Sequence, residues 1–278
     1  TVQLQDLDGD GQRETAVTFF RVPGAERPLK IYFFTLQKDG SYRATAALEG
    51  DGAAINAVDY VSMNGEGLKE VVVSWQVSSG VYQLGVYSLD ERMTHRGQSS
   101  LEGVAVPPLS SLLGTELLST NYSEYKLLDL DEDTLTELAV VRLDPAGENS
   151  GVDLYGCTDS GLERQGTGRL SSGITSLRRV RTGYLAGELP TPALYVTGDL
   201  VDGRQVVDIL AWRGGEVRNV VLDRETGMSR ERLYLPEGVD LTDINGDTVL
   251  EIPHLQPLPS YGENFSDFWL TKWEQYNR

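Results

Sequence analysis

Three stretches of this chain set an oxygen-bearing side chain at every second position and then close with a glutamate. They are Asp6-Leu-Asp8-Gly-Asp10-Gly-Gln12-Arg-Glu14, Asp129-Leu-Asp131-Glu-Asp133-Thr-Leu135-Thr-Glu137 and Asp243-Ile-Asn245-Gly-Asp247-Thr-Val249-Leu-Glu251. On a tight loop, the side chains at positions one, three, five and nine can turn toward one centre. The backbone carbonyl at position seven (Gln12, Leu135 or Val249) can join them. Such an all-oxygen set suits Ca²⁺, which takes six to eight oxygens at about 2.3–2.6 Å. The chain therefore carries up to three candidate structural calcium sites. The closing acid follows the turn position by three residues rather than by the six of an EF-hand, and strands rather than helices are expected on either side. One loop of this kind would read as a solvated turn. Three in register argue for metal. Gly11 allows a sharp turn at position six, whereas Thr134 and Thr248 stand there in the other loops, so those two are expected to be strained.

The loops need a framework, and the glutamates give its period. Aligned positions fall at Glu14, Glu70, Glu137, a degenerate Pro192 and Glu251. Around each, the same segments recur. A short strand enters the loop (near 2–4, 54–58, 125–128, 176–180 and 239–241). A second leaves it (15–20, 71–75, 138–141 and 193–196). A third follows a turn (29–34, 82–87, 152–155, 206–212 and 268–273). A more polar fourth ends near Gly50, Gly103, Gly173 and Gly227. β-Branched and aromatic runs separated by Gly, Asp and Ser mark an all-β protein, and a unit of four short strands matches a propeller blade. The expectation is one β-propeller-like domain over 1–278, with about five repeats near 1–50, 51–103, 120–173, 174–227 and 236–278. The last is incomplete, and residues 104–119 form an inserted loop with at most one helical turn. Pro253, Pro257 and Pro259 are expected to spoil the second strand of the last repeat. Two packed β domains are the alternative architecture. In the second repeat Ser62, Asn64, Glu66 and Glu70 make a marginal ligand set. In the fourth, Tyr184, Ala186, Glu188, Pro190 and Pro192 make none.

Bulk composition narrows the function. Of 278 residues 40% are hydrophobic, enough for a sizeable core. The net charge of −18, from 42 acids against 24 bases, opposes binding to nucleic acid or anionic membranes. Part of that excess sits in the three loops, where a cation would offset it. No apolar run is long enough to span a membrane as a helix. The single cysteine, Cys157, sits in an apolar run and reads as a small buried strand residue. The chain opens at Thr1 inside a strand-like segment, as expected of a processed exported protein whose leader or lipid anchor has been removed.

The pattern Asp-x-Asp/Asn-x-Asp-Gly-x-x-Glu leading into an apolar strand resembles the FG-GAP/VCBS-type repeats of integrin α-chain propellers and of bacterial secreted proteins. The likeness covers loop and following strand in repeats one, three and five. The Phe-Gly and Gly-Ala-Pro elements that name the repeat are not evident. The resemblance implies a propeller stapled by calcium, with the loop residues above as ligands and recognition or adhesion as its work.

Catalytic signals are weak. His95 and His254 lie in no zinc or nucleophile motif, and neither a Gly-x-Ser-x-Gly elbow nor a phosphate-binding loop occurs. Trp75, Trp212 and Trp269 lie among aliphatics on expected strands, which favours core packing over a sugar-stacking groove lined by these three and Trp273. The expected role is an extracellular or cell-surface, calcium-stabilised module that binds a protein or glycan without turnover. The alternatives are an extracellular carbohydrate-active enzyme using a carboxylate pair, and a structural scaffold for an N-terminal domain.

Overall fold

A computed structural model describes residues 1–65, 68–88, 115–118, 123–158, 161–186, 191–221, 232–257 and 269–275. Every described element is a β-strand, and none is a helix long and apolar enough to cross a membrane. The chain divides into two compact units. One comprises Thr1–Tyr122 with Gly156–Glu163, the other Ser123–Tyr155 with Arg164–Arg278.

The first unit holds two antiparallel four-stranded sheets in simple up-and-down order. Sheet one is β1 (Val2–Gln5), β2 (Thr15–Arg21), β3 (Leu29–Leu36) and β4 (Tyr42–Gly50). Sheet two is β5 (Ala54–Val61), β6 (Glu70–Ser78), β7 (Val81–Tyr87) and β8 (Thr115–Leu118). Successive side chains of a strand point to opposite faces. Accordingly Leu29, Ile31 and Phe33 of β3 are buried while Lys30, Tyr32 and Phe34 alternate with them. The buried set packs with Val17, Ala46 and Leu48 against Val71, Val73, Trp75 and Tyr87 of sheet two. Trp75 is core, as its aliphatic neighbours predict, and its indole N–H donates to the Tyr87 hydroxyl at 3.0 Å. Gly50 makes room for it, because a β-carbon at that position would overlap the indole ring.

The remaining three sheets form the second unit, apart from residues 156–163 of β11 and β12. Sheet three is β9 (Glu124–Leu128), β10 (Glu137–Arg142), β11 (Gly151–Thr158) and β12 (Gly161–Arg169). Sheet four is β13 (Ile174–Leu185), β14 (Thr191–Leu200), β15 (Gln205–Arg213) and β16 (Glu216–Asn219), with β17 (Leu233–Leu235) also paired to β15. Sheet five is β18 (Glu251–Pro257) paired with β19 (Trp269–Gln275). The unbroken apolar runs of β14 and β15 follow from packing on both faces. Leu194, Val196, Val206 and Leu210 join the core shared with Leu130, Ala139, Val141 and Leu154, while the alternate residues Ala193, Tyr195, Val207 and Ile209 meet Leu250 and Ile252. Trp212 packs against the first of these cores, partly buried. A buried carboxylate ties this stack together: Asp208 accepts the N–H and the hydroxyl of Ser171, both at 2.7 Å.

Four details depart from the sequence expectation. Residues 115–118, placed by spacing in the inserted loop, are the fourth strand of sheet two; the expected helical turn near 104–114 and the strand end near Gly103 lie outside the described residues. Pro253 and Pro257 do not break β18, because past the Thr242 bridge at Glu251 its described ladder runs on one side alone, with β19, and an open edge can spare the missing N–H. Residues 239–241 form no strand. Arg181 of β13 takes the Leu241 carbonyl (2.8 Å) and the Asp240 carboxylate (3.0 Å), so a side chain satisfies a group that a ladder would otherwise use. Cys157 lies on β11 half-exposed rather than buried. His95 lies outside the described residues.

Replacing Gly50 by Ala should therefore lower stability by about 1–3 kcal/mol through overpacking against Trp75, read as a lower denaturation midpoint with unchanged strand content by circular dichroism.

Candidate metal centres

Each acidic loop is folded by its own side chains onto its own backbone. At position one, Asp6 accepts the N–H of Gly9 (2.7 Å) and Gly11 (3.1 Å), Asp129 accepts that of Thr134 (3.1 Å), and Asp243 accepts those of Gly246 (2.6 Å) and Thr248 (2.9 Å). At position three, Asp8, Asp131 and Asn245 each accept the N–H two residues on, at 3.2, 3.2 and 3.0 Å. At position five, Asp10, Asp133 and Asp247 do the same to Gln12, Leu135 and Val249, at 2.7, 2.8 and 2.9 Å. These are local side-chain-to-backbone turns repeated three times over. The same turns bring the acid oxygens together over the loop. Within Asp6/Asp8/Asp10/Glu14, Asp129/Asp131/Asp133/Glu137 and Asp243/Asp247/Glu251, one such atom per residue lies within 4.8 Å of the others.

The closing glutamate lies beneath its loop. Glu137 and Glu251 are buried at the first position of β10 and β18, and Glu14 immediately precedes β2. Each accepts the N–H of the residue at position two: Leu7 to Glu14 at 3.5 Å, Leu130 to Glu137 at 2.6 Å and Ile244 to Glu251 at 2.8 Å. The second repeat keeps this bond, Met63 to Glu70 at 2.7 Å. Glu70 thus keeps the scaffold, with Ser62 and Asn64 standing where the other loops have their first two ligands; Glu66, Glu188 and Pro190 fall outside the described residues.

Two observations test whether a divalent cation fits. Every donor is oxygen, as a hard cation requires. In addition, Glu14 Oε2 and Asp129 Oδ1 are buried without a hydrogen-bond partner, a costly state for a carboxylate oxygen unless something positive meets it. The residues fit such an ion. With each loop numbered by its repeat (6–14 is loop one, 129–137 loop three and 243–251 loop five), electrostatics point the same way in loop three. Burial pushes the Glu137 carboxyl up to about 7 despite the Leu130 N–H, and the charges of Asp131, Asp129 and Asp133 add to it. Burial also raises Asp131, beside Asp133 and Asp129. Loop one differs. Burial would raise Asp6, yet the N–H groups of Gly9 and Gly11 and the Lys69 ammonium together hold it below the usual carboxylate range. Sequence reasoning missed Lys69; its only signal was a basic residue at position eight of the degenerate second loop.

Backbone conformation separates the loops as well. Positions four and six are left-handed in all three, occupied by Gly9 and Gly11 (φ 76° and 89°), Glu132 and Thr134 (66° and 77°), and Gly246 and Thr248 (80° and 70°). Glycine adopts this region freely, whereas a β-branched residue is strained there by about 1–3 kcal/mol. The strain expected at Thr134 and Thr248 is present.

Between loops three and five opens a cleft of about 670 Å³, lined by Asp129, Glu132, Thr182, Tyr184, Asp243 and Thr248 among others. The end of β13 forms its floor, joined to loop five by the Tyr184 N–H on the Thr248 carbonyl at 3.2 Å. Tyr184 is 38% exposed.

Two expectations follow. Thr134→Gly should stabilise the protein by about 0.5–1 kcal/mol, since relief of strain exceeds the added chain entropy; denaturant titration reads this. The second concerns pH. Because the folded-state pKa of Glu137 is raised from 4.5 to about 7, its contribution to metal-free stability is full below about pH 4.5 and is lost as pH rises through about 7. A cation binds the ionised form, so the rise in thermal midpoint on adding calcium should be larger at about pH 8 than at about pH 5. Glu137→Gln should flatten the metal-free profile. No protein-family model matches the chain and no curated protein matches it, so these loops are what a functional reading has to work from.

Proposed function

We propose that this protein is a calcium-stapled recognition module of the β-propeller type, its sheets acting as blades, and that it works outside the cell without catalytic turnover. The observation that carries the reading is the recurrence of one loop geometry at the same place in three sheets, each time with oxygens converging over a closing glutamate that accepts the N–H of position two. Asp6, Asp8, Asp10 and Glu14, then Asp129, Asp131, Asp133 and Glu137, then Asp243, Asn245, Asp247 and Glu251 would hold the ions, with the carbonyls of Gln12, Leu135 and Val249 beside them. The ions' contribution is structural: they neutralise the acids and lock each loop to its sheet. Shallow loops with exposed acids suit the millimolar calcium of extracellular fluids, the regime of weak extracellular modules. The same loop pattern supports the likeness to FG-GAP/VCBS-type repeats. In this reading the ligand, a protein or a glycan, meets the cleft between loops three and five.

Calcium in hundredfold excess over its dissociation constant should stabilise by about 2.7 kcal/mol per site. Thermal unfolding with calcium and then with chelator checks this, and Asp10→Ala or Asp133→Ala should each remove one site's share. Arrays of glycans and matrix proteins, probed with calcium and with chelator, should yield a calcium-dependent binder and no hydrolysis or elimination products. Equal midpoints with and without calcium would sink the reading.

A further inference from the structure

The first and third loops carry the same four acids, yet their surroundings differ in one respect. Among the described residues, none of Asp129, Asp131, Asp133 and Glu137 makes an ion pair, and Asp129 Oδ1 is buried without a partner. In loop one, Lys69 Nζ lies 3.9 Å from Asp6 Oδ2. This ammonium is held independently of the carboxylate. It donates to the backbone carbonyl of Asp6 at 2.7 Å, and the Lys69 N–H donates to the Leu7 carbonyl at 2.8 Å. Turning the Asp6 carboxylate toward another cation would therefore not release Lys69. The lysine comes from the second repeat, at position eight of the loop that has Ser62 and Asn64 in place of the first two ligands yet keeps the Met63-to-Glu70 bond.

Resting on the calcium reading above, we propose that Lys69 is a cation built into the first loop that lowers its affinity for calcium and so makes it fill after the third. A fixed positive charge beside a position-one ligand repels an incoming divalent ion and already offsets part of the charge that would attract it. Among the described residues the loop of the third repeat has no such counter-charge. Two sites with matching acids are thereby graded, and the first responds at higher calcium. The lysine also stitches loop one to sheet two, so removing the metal leaves that junction tied.

The test follows each loop separately in the full chain, with calcium alone as the probe. In a titration read by amide resonances, Gly9 and Gly11 report loop one, and Thr134 and Leu135 report loop three. In the unaltered chain, loop three should reach half-saturation first. Lys69→Met should lower the half-saturation point of loop one by about threefold to tenfold, the range for one screened charge near the surface, and leave loop three unchanged. Lys69→Arg, which keeps the charge, should stay within about twofold, and added salt should narrow the gap between Lys69→Met and the unaltered chain. Lys69→Gln provides a second neutral variant should Lys69→Met fold poorly. An unchanged or weaker loop one in the neutral variants overturns this inference while leaving the calcium reading intact. No response of Gly9 and Gly11 to calcium in any variant overturns both.

Discussion

A carboxylate buried beneath a ring of other carboxylates is the constraint on which this architecture turns. Glu137 is almost wholly inaccessible and receives one backbone N–H, while three aspartates crowd the loop above it. A buried charge with so little compensation is unfavourable unless protonated or met by a cation. The glutamate cannot retreat, because it opens the strand whose next residues, Leu138 to Val141, fill the core. Loop chemistry and sheet packing are thus joined at a single residue.

The bond from position two completes the linkage. Leu7, Met63 and Leu130 donate their N–H groups to the glutamate below while their side chains are buried, Leu7 and Leu130 in the cores between neighbouring sheets. A loop that lost its shape would withdraw an apolar side chain from the core as well as a hydrogen bond. Loop five keeps the bond but not the anchor: Ile244 is 56% exposed. That loop is held differently, by the Tyr184–Thr248 backbone bond and by the antiparallel bridge of Thr242 to Glu251.

What the sequence made legible follows from how local each signal is. Strands with period-two alternation, as in 29–34, and strands buried on both faces, as in 193–196 and 206–212, could be read directly. So could the three acid sets, since each lies within nine consecutive residues and its folding bonds span two to seven positions. Non-local effects escaped. The loss of strand at 239–241 depends on Arg181, some sixty residues earlier. The survival of β18 despite its prolines depends on which of its edges is unpaired. The placement of 115–118 in sheet two depends on pairing with β7 across the longest gap between consecutive strands. Lys69 escaped for the same reason: its partner belongs to another repeat, and a lone lysine in a degenerate loop carries no periodic signature.

The three loops reach the same geometry with different balances of strain and charge. Loop one has glycine at both left-handed positions and a neighbouring ammonium, so neither its backbone nor its charge strongly demands a bound ion. Loop three has Glu132 and Thr134 at those positions and four acids with no counter-charge among the described residues, so both demands are at their greatest. Loop five lies between them. It has one strained residue, Thr248, and three acids, and Asn245 donates to Asp247 at 2.9 Å where the others have an aspartate. Backbone strain of about 1–3 kcal/mol per residue and the repulsion of clustered carboxylates are of similar size to what one bound calcium returns. A loop burdened with both would gain most from a bound cation, and that gain would be largest where Glu137 lies deepest.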